Sequence, residues 1–225
     1  MMKKKTTKPT TDFSFWKQRF LDAGFSVKGR QAVRTLDKIQ HSVGLQKGMY
    51  HEGAFKINLN ILVHDPFTGP GYFFVCLNGH VEPNSILQME EHAWWSPEEL
   101  NDAMNVFFRI GLPWFDEFAS DVNQLSIWLS KAIKQNRSVE VVKYPSLHLK
   151  GPHGEGYLPI YDYALSLLKF FQGDLRGACA HAKRWGGRFS PSAEDAVEPT
   201  RTVRQIKEMG CDSERGGPNH LSERN

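Results

Sequence analysis

Apolar and polar residues alternate through residues 24–63, and this alternation is the clearest pattern in the chain. Apolar side chains take every second position of 55–63, with polar residues such as Asn58 between them. Successive side chains of a strand point to opposite sides, so the pattern predicts a strand with one buried and one solvated face. The same alternation covers 39–47, and 48–53 is short enough to connect the two strands as a hairpin.

The remaining pattern predicts further strands and several helices. Strands are expected at about 32–37 and 72–77, and 139–143 has the composition of one more brief strand. Apolar residues at helical spacing, bounded by capping or turn residues, predict helices elsewhere. These stretches are 12–23, 97–110, 113–120, 122–135, 159–171, 174–185 and 197–209. The order of the elements favours an α+β fold, in which an antiparallel sheet of about four to five strands packs with helices and a C-terminal helical hairpin follows.

The chain divides into five parts by composition. Residues 1–11 form a basic tail without periodicity, and we expect it to be disordered. The α+β domain spans 12–144, and 145–157 is a loop rich in Gly and Pro. Residues 158–185 are predicted to form a helical hairpin packed on the main domain. Residues 186–225 are predicted to be a mostly disordered tail with one short helix.

The composition is that of an ordinary globular protein, with 40% hydrophobic residues. No stretch of the sequence approaches the roughly 18 apolar residues that cross a membrane. The lysines at the start precede no apolar signal segment, so a cytoplasmic location is expected. Cys76, Cys179 and Cys211 are odd in number and widely spaced, which favours free thiols over disulfides or a metal-binding cysteine pair.

Charge is distributed unevenly, although the net charge is only +3. Residues 57–130 contain ten acidic residues and one basic residue, Arg109, and therefore carry a net charge of −9. Residues 131–185 contain nine basic and four acidic residues, a net charge of +5. Two interpretations are open: solvated helix faces whose opposite charges meet in the fold, or an acidic surface that attracts a basic partner.

The acidic stretch also contains the adjacent residues Trp94 and Trp95, which cannot both point inward from a regular element. An exposed tryptophan beside carboxylates is a good binding anchor, because Trp is enriched among interface hot spots. The alternative is that both rings fill the seam between sheet and helix, and that the acids simply favour a helix N-terminus. The candidate partner-binding residues are Glu90, Glu91, Trp94, Trp95, Glu98, Glu99, Asp102, Asp116, Glu117 and Asp121.

No catalytic residue, metal ligand or cofactor is predicted. His64 and Asp65 lie at a strand end, but they precede Pro66 and are better explained as a turn in which the aspartate accepts local backbone hydrogen bonds. Cys179 and His181 are two residues apart on a predicted helix and do not face each other, so they do not suggest a metal site. The sequence also lacks a glycine loop of the phosphate-binding type.

Several short motifs within residues 12–135 have the order and spacing found in one bacterial family. They are Gly24-Phe25, Lys28-Gly29, Arg34, Ile39, Val43, Leu45-Gln46-Lys47, Phe55-Lys56-Ile57-Asn58-Leu59-Asn60-Ile61 and Leu112-Pro113-Trp114-Phe115. Through these motifs the chain resembles the family catalogued as domain of unknown function 4304. The resemblance implies an α+β domain with an antiparallel sheet. It implies no reaction and no catalytic residue, and it does not extend to the C-terminal helical hairpin.

Together these features favour a non-catalytic binding protein whose acidic surface recognises a basic protein, as an immunity or antitoxin-like protein would. Nucleic acid is not an expected partner, because lysines in a flexible tail commonly serve solubility and the solvated face of the sheet lacks interleaved aromatic and basic residues. An enzyme with a non-standard site near His64 and Asp65 is one alternative. An accessory subunit that docks through the hairpin of residues 158–185 is another, and the sequence does not predict the oligomeric state.

Overall fold

A computed structural model describes residues 13–48, 53–81, 94–135, 147–150, 158–186 and 197–210. Within these ranges six strands form one antiparallel sheet, in which each strand pairs with the next along the chain. The strands are β1 (Ser26–Lys28), β2 (Gln31–Leu36), β3 (Ile39–Lys47), β4 (Phe55–His64), β5 (Phe73–Val81) and β6 (Leu147–Lys150). The predicted α+β class and antiparallel sheet are confirmed.

Along the chain, helices lie before the first strand, between β5 and β6, and after β6. They are α1 (Lys17–Asp22), α2 (Leu100–Val106), α3 (Leu112–Phe118), α4 (Val122–Gln135), α5 (Leu158–Phe171), α6 (Leu175–Gly186) and α7 (Val197–Gly210). A 3₁₀ turn (Pro97–Glu99) precedes α2, and a π-helical segment (Phe107–Gly111) joins α2 to α3. The C-terminal helices expected from the sequence are therefore present.

Strand β4 lies near the centre of the sheet, and its burial follows the predicted alternation. Ile57, Leu59 and Ile61 are fully buried, whereas Asn58 and Asn60 between them are half-buried. The helices pack on the apolar face. One edge of this packing is the contact between the Phe74 ring of β5 and Tyr163 of α5, whose centroids lie 4.5 Å apart.

The π-helical segment packs directly on β4 at Gly111. A Cβ atom added to Gly111 would lie 2.8 Å from Cδ2 of Phe107 and 3.2 Å from Cδ1 of Leu59, so only glycine fits against the strand. The sequence predicts a break at Gly111 and Pro113, because proline has no N–H to continue an α-helical ladder. The wider π turn takes the place of that break, and the chain continues into α3.

Strand β6 lies inside the segment 145–157, for which the sequence predicts a loop. Its register runs from Val81 opposite Leu147 to Asn78 opposite Lys150. An unpaired edge of β5 would present free backbone groups, and a short segment that alternates apolar and polar residues can cover it. The brief strand predicted at 139–143 and the tail at 1–11 lie outside the described residues.

The C-terminal helices belong to the same hydrophobic core as the sheet. Most of α5 is buried, and its Tyr161 ring lies 6.4 Å from that of Trp128 in α4. Helix α7 coincides with the helix predicted at 197–209, and it buries Val203 and Ile206. The hairpin of α5 and α6 is thus one layer of a continuous core.

Two further findings concern the apolar character of the helices and the state of the cysteines. No helix in the described ranges combines the length and the apolar character needed to cross a membrane. Cys76 is a buried free thiol, whereas Cys179 is disulfide-bonded. The expectation of free thiols is therefore wrong for Cys179, because spacing along the chain does not reveal which cysteines meet in space.

Candidate functional site

The acidic residues proposed to bind a partner lie around α2, α3 and the start of α4. Glu90 and Glu91 fall outside the described residues. The other six side chains are all exposed; they are Glu98, Glu99, Asp102, Asp116, Glu117 and Asp121. Between residues 94 and 130 the only basic residue is Arg109, so this stretch of the chain carries excess negative charge.

The two adjacent tryptophans have different environments. Trp95 is only 3% exposed, forms a backbone bridge to Phe55 and donates a hydrogen bond from Nε1 to the Val81 carbonyl at 2.8 Å. Trp94 is half-buried, and the Lys56 ammonium lies 4.6 Å from its ring centroid. One ring therefore fills the seam between sheet and helix, and of the two only Trp94 offers surface to a partner.

Two of the acids serve as helix caps. Asp121 accepts hydrogen bonds at Oδ1 from the backbone N–H groups of Asn123 (2.7 Å) and Gln124 (2.9 Å) at the start of α4. Glu99 accepts one from the backbone N–H of Ser96 at 2.8 Å and completes a capping box. These contacts satisfy donors that a helix N-terminus leaves free, so Asp121 and Glu99 have a structural role irrespective of any partner.

Asp116 belongs to a polar cluster that joins α3 to the sheet, which we call the sheet triad (Arg34, His41 and Asp116). Arg34 donates from Nη2 to Asp116 Oδ1 at 2.5 Å and to His41 Nδ1 at 2.9 Å. Because a guanidinium can only donate, Nδ1 of His41 must be the unprotonated nitrogen. Nε2 then carries the hydrogen and donates it to the Ala119 carbonyl at 2.9 Å.

Burial keeps His41 of the sheet triad neutral. Desolvation of the fully buried His41, reinforced by the positive charge of Arg34, lowers the pKa of His41 to about 4. The neutral imidazole stacks on the Phe115 ring with centroids 4.4 Å apart. A buried neutral histidine with both nitrogens engaged fits a structural role better than acid–base chemistry.

Glu98 and Asp102 differ from the capping and paired acids. Both are exposed, and neither makes a hydrogen bond or an ion pair with any residue in the described part of the chain. Glu98 lies in the 3₁₀ turn and Asp102 in the first turn of α2, so both charges are near the N-terminal end of this helix. Their charges are therefore the most available to a partner.

His64 and Asp65, the residues of the alternative catalytic hypothesis, have separate surroundings. His64 is half-buried, with its ring parallel to that of Phe171 at 6.0 Å. Asp65 is fully buried, and its Oδ1 accepts a hydrogen bond from the backbone N–H of Phe67 at 3.0 Å, which is the local turn predicted from Pro66. The two side chains do not form a joint exposed site.

The other oxygen of Asp65 accepts three hydroxyl hydrogen bonds. The donors are Thr68 in the following loop at 2.7 Å, Tyr163 in α5 at 2.6 Å and Thr202 in α7 at 2.8 Å. Burial, together with the neighbouring carboxylate, raises the pKa of Tyr163, so this hydroxyl stays protonated and donates. Asp65 thereby connects the end of β4 to α5 and α7.

A second cluster of Arg, His and Asp joins α5 to α6, and sequence reasoning missed it. We call it the hairpin triad (Asp162, His181 and Arg184). Asp162 Oδ1 lies 2.8 Å from His181 Nδ1 and accepts from Arg184 Nε at 3.0 Å. Burial by itself raises the pKa of Asp162, but the hydrogen bonds from His181 and Arg184 outweigh it, so the pKa lies below its ordinary value. The spacing of His181 and Arg184 on one helix was the only available signal.

Comparisons with known proteins add no constraint to this geometry. No family model, curated protein or solved structure matches the chain. The resemblance to the domain of unknown function 4304 family stays a prediction. In the described residues no group of three His, Cys, Asp or Glu side chains is arranged to hold a metal ion.

Proposed function

We propose that this protein is a non-catalytic binding protein that uses the acidic start of α2, together with Trp94, to bind a basic protein. The observation that carries the proposal is the contrast among the acids. Asp116 and Asp121 are engaged within the fold, whereas Glu98 and Asp102 are exposed and have no partner among the described residues. Uncompensated charge on a rigid helix attracts and selects a partner of opposite charge.

Trp94 supplies an apolar contact beside these charges. It precedes the 3₁₀ turn that leads into α2, and it is half-buried against Lys56. Rim charges chiefly raise association rates, whereas an aromatic anchor contributes to the lifetime of a complex. One specific form of the proposal is an immunity or antitoxin-like protein that covers the cationic site of a basic toxin.

The enzyme alternative has less support. The sheet triad, the hairpin triad and Asp65 are polar groups with buried members, and each connects secondary-structure elements through hydrogen bonds. The accessory-subunit alternative also needs a different form, because α5 is part of the main core and only the outer side of α6 remains available to a partner.

The cytoplasmic location expected from the sequence stays a prediction. The disulfide at Cys179 argues against it, since disulfides persist mainly in oxidising compartments.

The test is a pair of double variants used as bait in affinity capture from the native cell. E98Q/D102N removes the two available charges near the N-terminal end of α2. The control variant is D22N/E208Q, which removes one aspartate and one glutamate that are exposed on α1 and α7. The proposal expects a basic protein to be captured by the wild type and the control at low salt and to be lost with E98Q/D102N. Equal capture by both variants would refute the acidic surface as the binding site.

A further inference from the structure

Helices α6 and α7 carry a second group of exposed charges, which are separated in the sequence. It consists of Arg176, Lys183 and Arg184 on α6 and Arg201, Arg204 and Lys207 on α7, and we call it the basic face. Five of these side chains are exposed and Lys207 is half-buried. Against these six cations the two helices carry two acids, Glu198 and Glu208.

Among the described residues, most cations of the basic face have no counter-charge. Arg184 is held by Asp162, but the other five cations form no ion pair with a residue in the described ranges. Arg176 and Lys183 lie seven residues apart, which puts them on the same side of α6 about 10 Å from each other. Arg201 and Arg204 lie three apart and share one side of α7.

The fold fixes the direction of these cations. The Thr202 hydroxyl donates to the buried Asp65 at 2.8 Å, and Val203 and Ile206 are buried beside it, so Arg201 and Arg204 remain on the outer side of α7. Ala178, Ala182 and Trp185 are the buried side of α6, opposite Arg176 and Lys183. Lys207 approaches the end of α6, where its Nζ would lie 3.1 Å from a Cβ added to Gly186.

We propose that the basic face binds the phosphate backbone of double-stranded nucleic acid without reading its sequence. Four of the six cations are arginines, whose planar donors suit phosphate oxygens. The only aromatic residue of α6 and α7 is Trp185, which is 4% exposed, so the surface has no stacking platform for unpaired bases. It also lacks the apolar centre typical of a protein interface, since exposed Leu175 and Met209 lie at the ends of the helices.

The sequence did not predict nucleic acid as a partner, because the only regions considered were the lysine tail and the solvated face of the sheet. The basic face combines residues up to 31 positions apart in the sequence, Arg176 and Lys207, on two helices that pack on each other. It is independent of the acidic surface on α2, so either proposal can fail alone.

The test measures fluorescence anisotropy of a short labelled DNA duplex with the full chain between about 50 and about 200 mM salt. The variant R176Q/K183Q/R201Q/R204Q removes four cations of the basic face. The control K17Q/K28Q/K131Q/K134Q removes four exposed lysines from other elements, so both variants have the same net charge. Circular dichroism and thermal unfolding establish that both variants are folded.

We expect the wild type and the control to bind the duplex with the same salt dependence. The slope of log K against log salt should fall by about 3 to 4 in the basic-face variant, because each lost phosphate contact contributes about 0.9. E98Q/D102N should keep duplex binding, which separates this result from the proposed protein-binding function. Equal weakening by the two quadruple variants, or no duplex binding by the wild type, would overturn the inference.

The same samples test two other possible occupants of the basic face, an acidic protein and a second copy of this chain. Poly-glutamate at matched charge should displace the labelled duplex less well than unlabelled duplex does; equal displacement would identify an acidic protein as the occupant and refute the proposal. Sedimentation velocity at low salt should give one species for the wild type without DNA. Self-association that the basic-face variant abolishes would identify a second copy as the occupant, and would refute it as well.

Discussion

The sheet triad and the hairpin triad are built from the same three residue types, but they bury different members. In the sheet triad His41 is fully buried, Arg34 is 12% exposed and the Asp116 side chain is 55% exposed. In the hairpin triad the aspartate, Asp162, is fully buried, and its partners His181 and Arg184 are 14% and 47% exposed. The comparison separates the effect of residue identity from the effect of position.

The buried member decides how each triad responds to protons. Burial removes the charge of His41 and lowers its pKa to about 4, so the sheet triad contains a neutral imidazole near neutral pH. In the hairpin triad, burial of Asp162 is outweighed by the hydrogen bonds that its carboxylate accepts, and its pKa is lowered. The sheet triad therefore loses stability in mild acid, and the hairpin triad loses it only below the ordinary pKa of a carboxyl group.

The largest expected effect comes from removing the buried aspartate of the hairpin triad, and the sheet triad provides the matched comparison. Asp162→Ala deletes the buried acceptor that holds Arg184 and His181, and should lower the free energy of unfolding by roughly 3 kcal/mol. Asp116→Ala deletes an exposed partner of Arg34 and should cost less than about 1 kcal/mol. Urea denaturation of both variants at neutral pH measures the difference. Similar losses in the two variants would contradict the distinction by burial.

The next effect is the pH dependence of the sheet triad. His41 has a pKa of about 4 in the folded protein and about 6.5 when unfolded. Below pH 6.5 the unfolded chain gains a proton that the folded protein does not, so stability falls as the pH falls. Between about pH 7 and about pH 5 the loss from this group should be roughly 2 kcal/mol.

The matched variants for this pH dependence are His41→Gln and His181→Gln. His41→Gln removes the titrating group and should flatten the profile of unfolding free energy against pH between 5 and 6.5. His181→Gln should keep the slope that His41 produces. A profile that is equally steep in wild type and His41→Gln would mean that His41 does not titrate as its burial implies.

A smaller effect extends the comparison to Asp65, whose side-chain donors are hydroxyls and not cations. Tyr163→Phe removes a hydrogen bond of 2.6 Å to this buried carboxylate and should cost about 1.5 to 3 kcal/mol, near the lower end because two other hydroxyls remain. Tyr161→Phe, on the same helix, removes a hydroxyl that forms no hydrogen bond with any described residue, and should cost less. Thermal unfolding of the pair gives the difference, and a larger loss in Tyr161→Phe would contradict this role of Asp65.

The sheet and most helix positions could be predicted from the sequence, because they depend on local periodicity. The alternation of 55–63 sets which side of β4 is buried, and the Ser96-Pro97-Glu98-Glu99 start predicts the capping box that forms before α2. Strand β6 could not be predicted in this way, since its four residues gain their conformation from pairing with β5.

The polar clusters and the basic face depend on contacts between distant residues. Asp65 and Thr202 are 137 positions apart, and Arg34 and Asp116 are 82 apart, so neither pair has a sequence signature. The acidic surface could be predicted in outline from composition. The sequence could not show that Asp121 caps a helix while Asp102 stays available, because that depends on the side-chain geometry of the folded chain.

We propose that buried polar clusters position the helices and that exposed charges near those helices bind a partner. Isothermal titration calorimetry of E98Q/D102N with the basic protein captured by the wild type tests this proposal most directly. The predicted result is an affinity at least about tenfold weaker at low salt, a loss of about 1.4 kcal/mol, with an unchanged free energy of unfolding. Wild-type affinity in this variant would contradict the proposal.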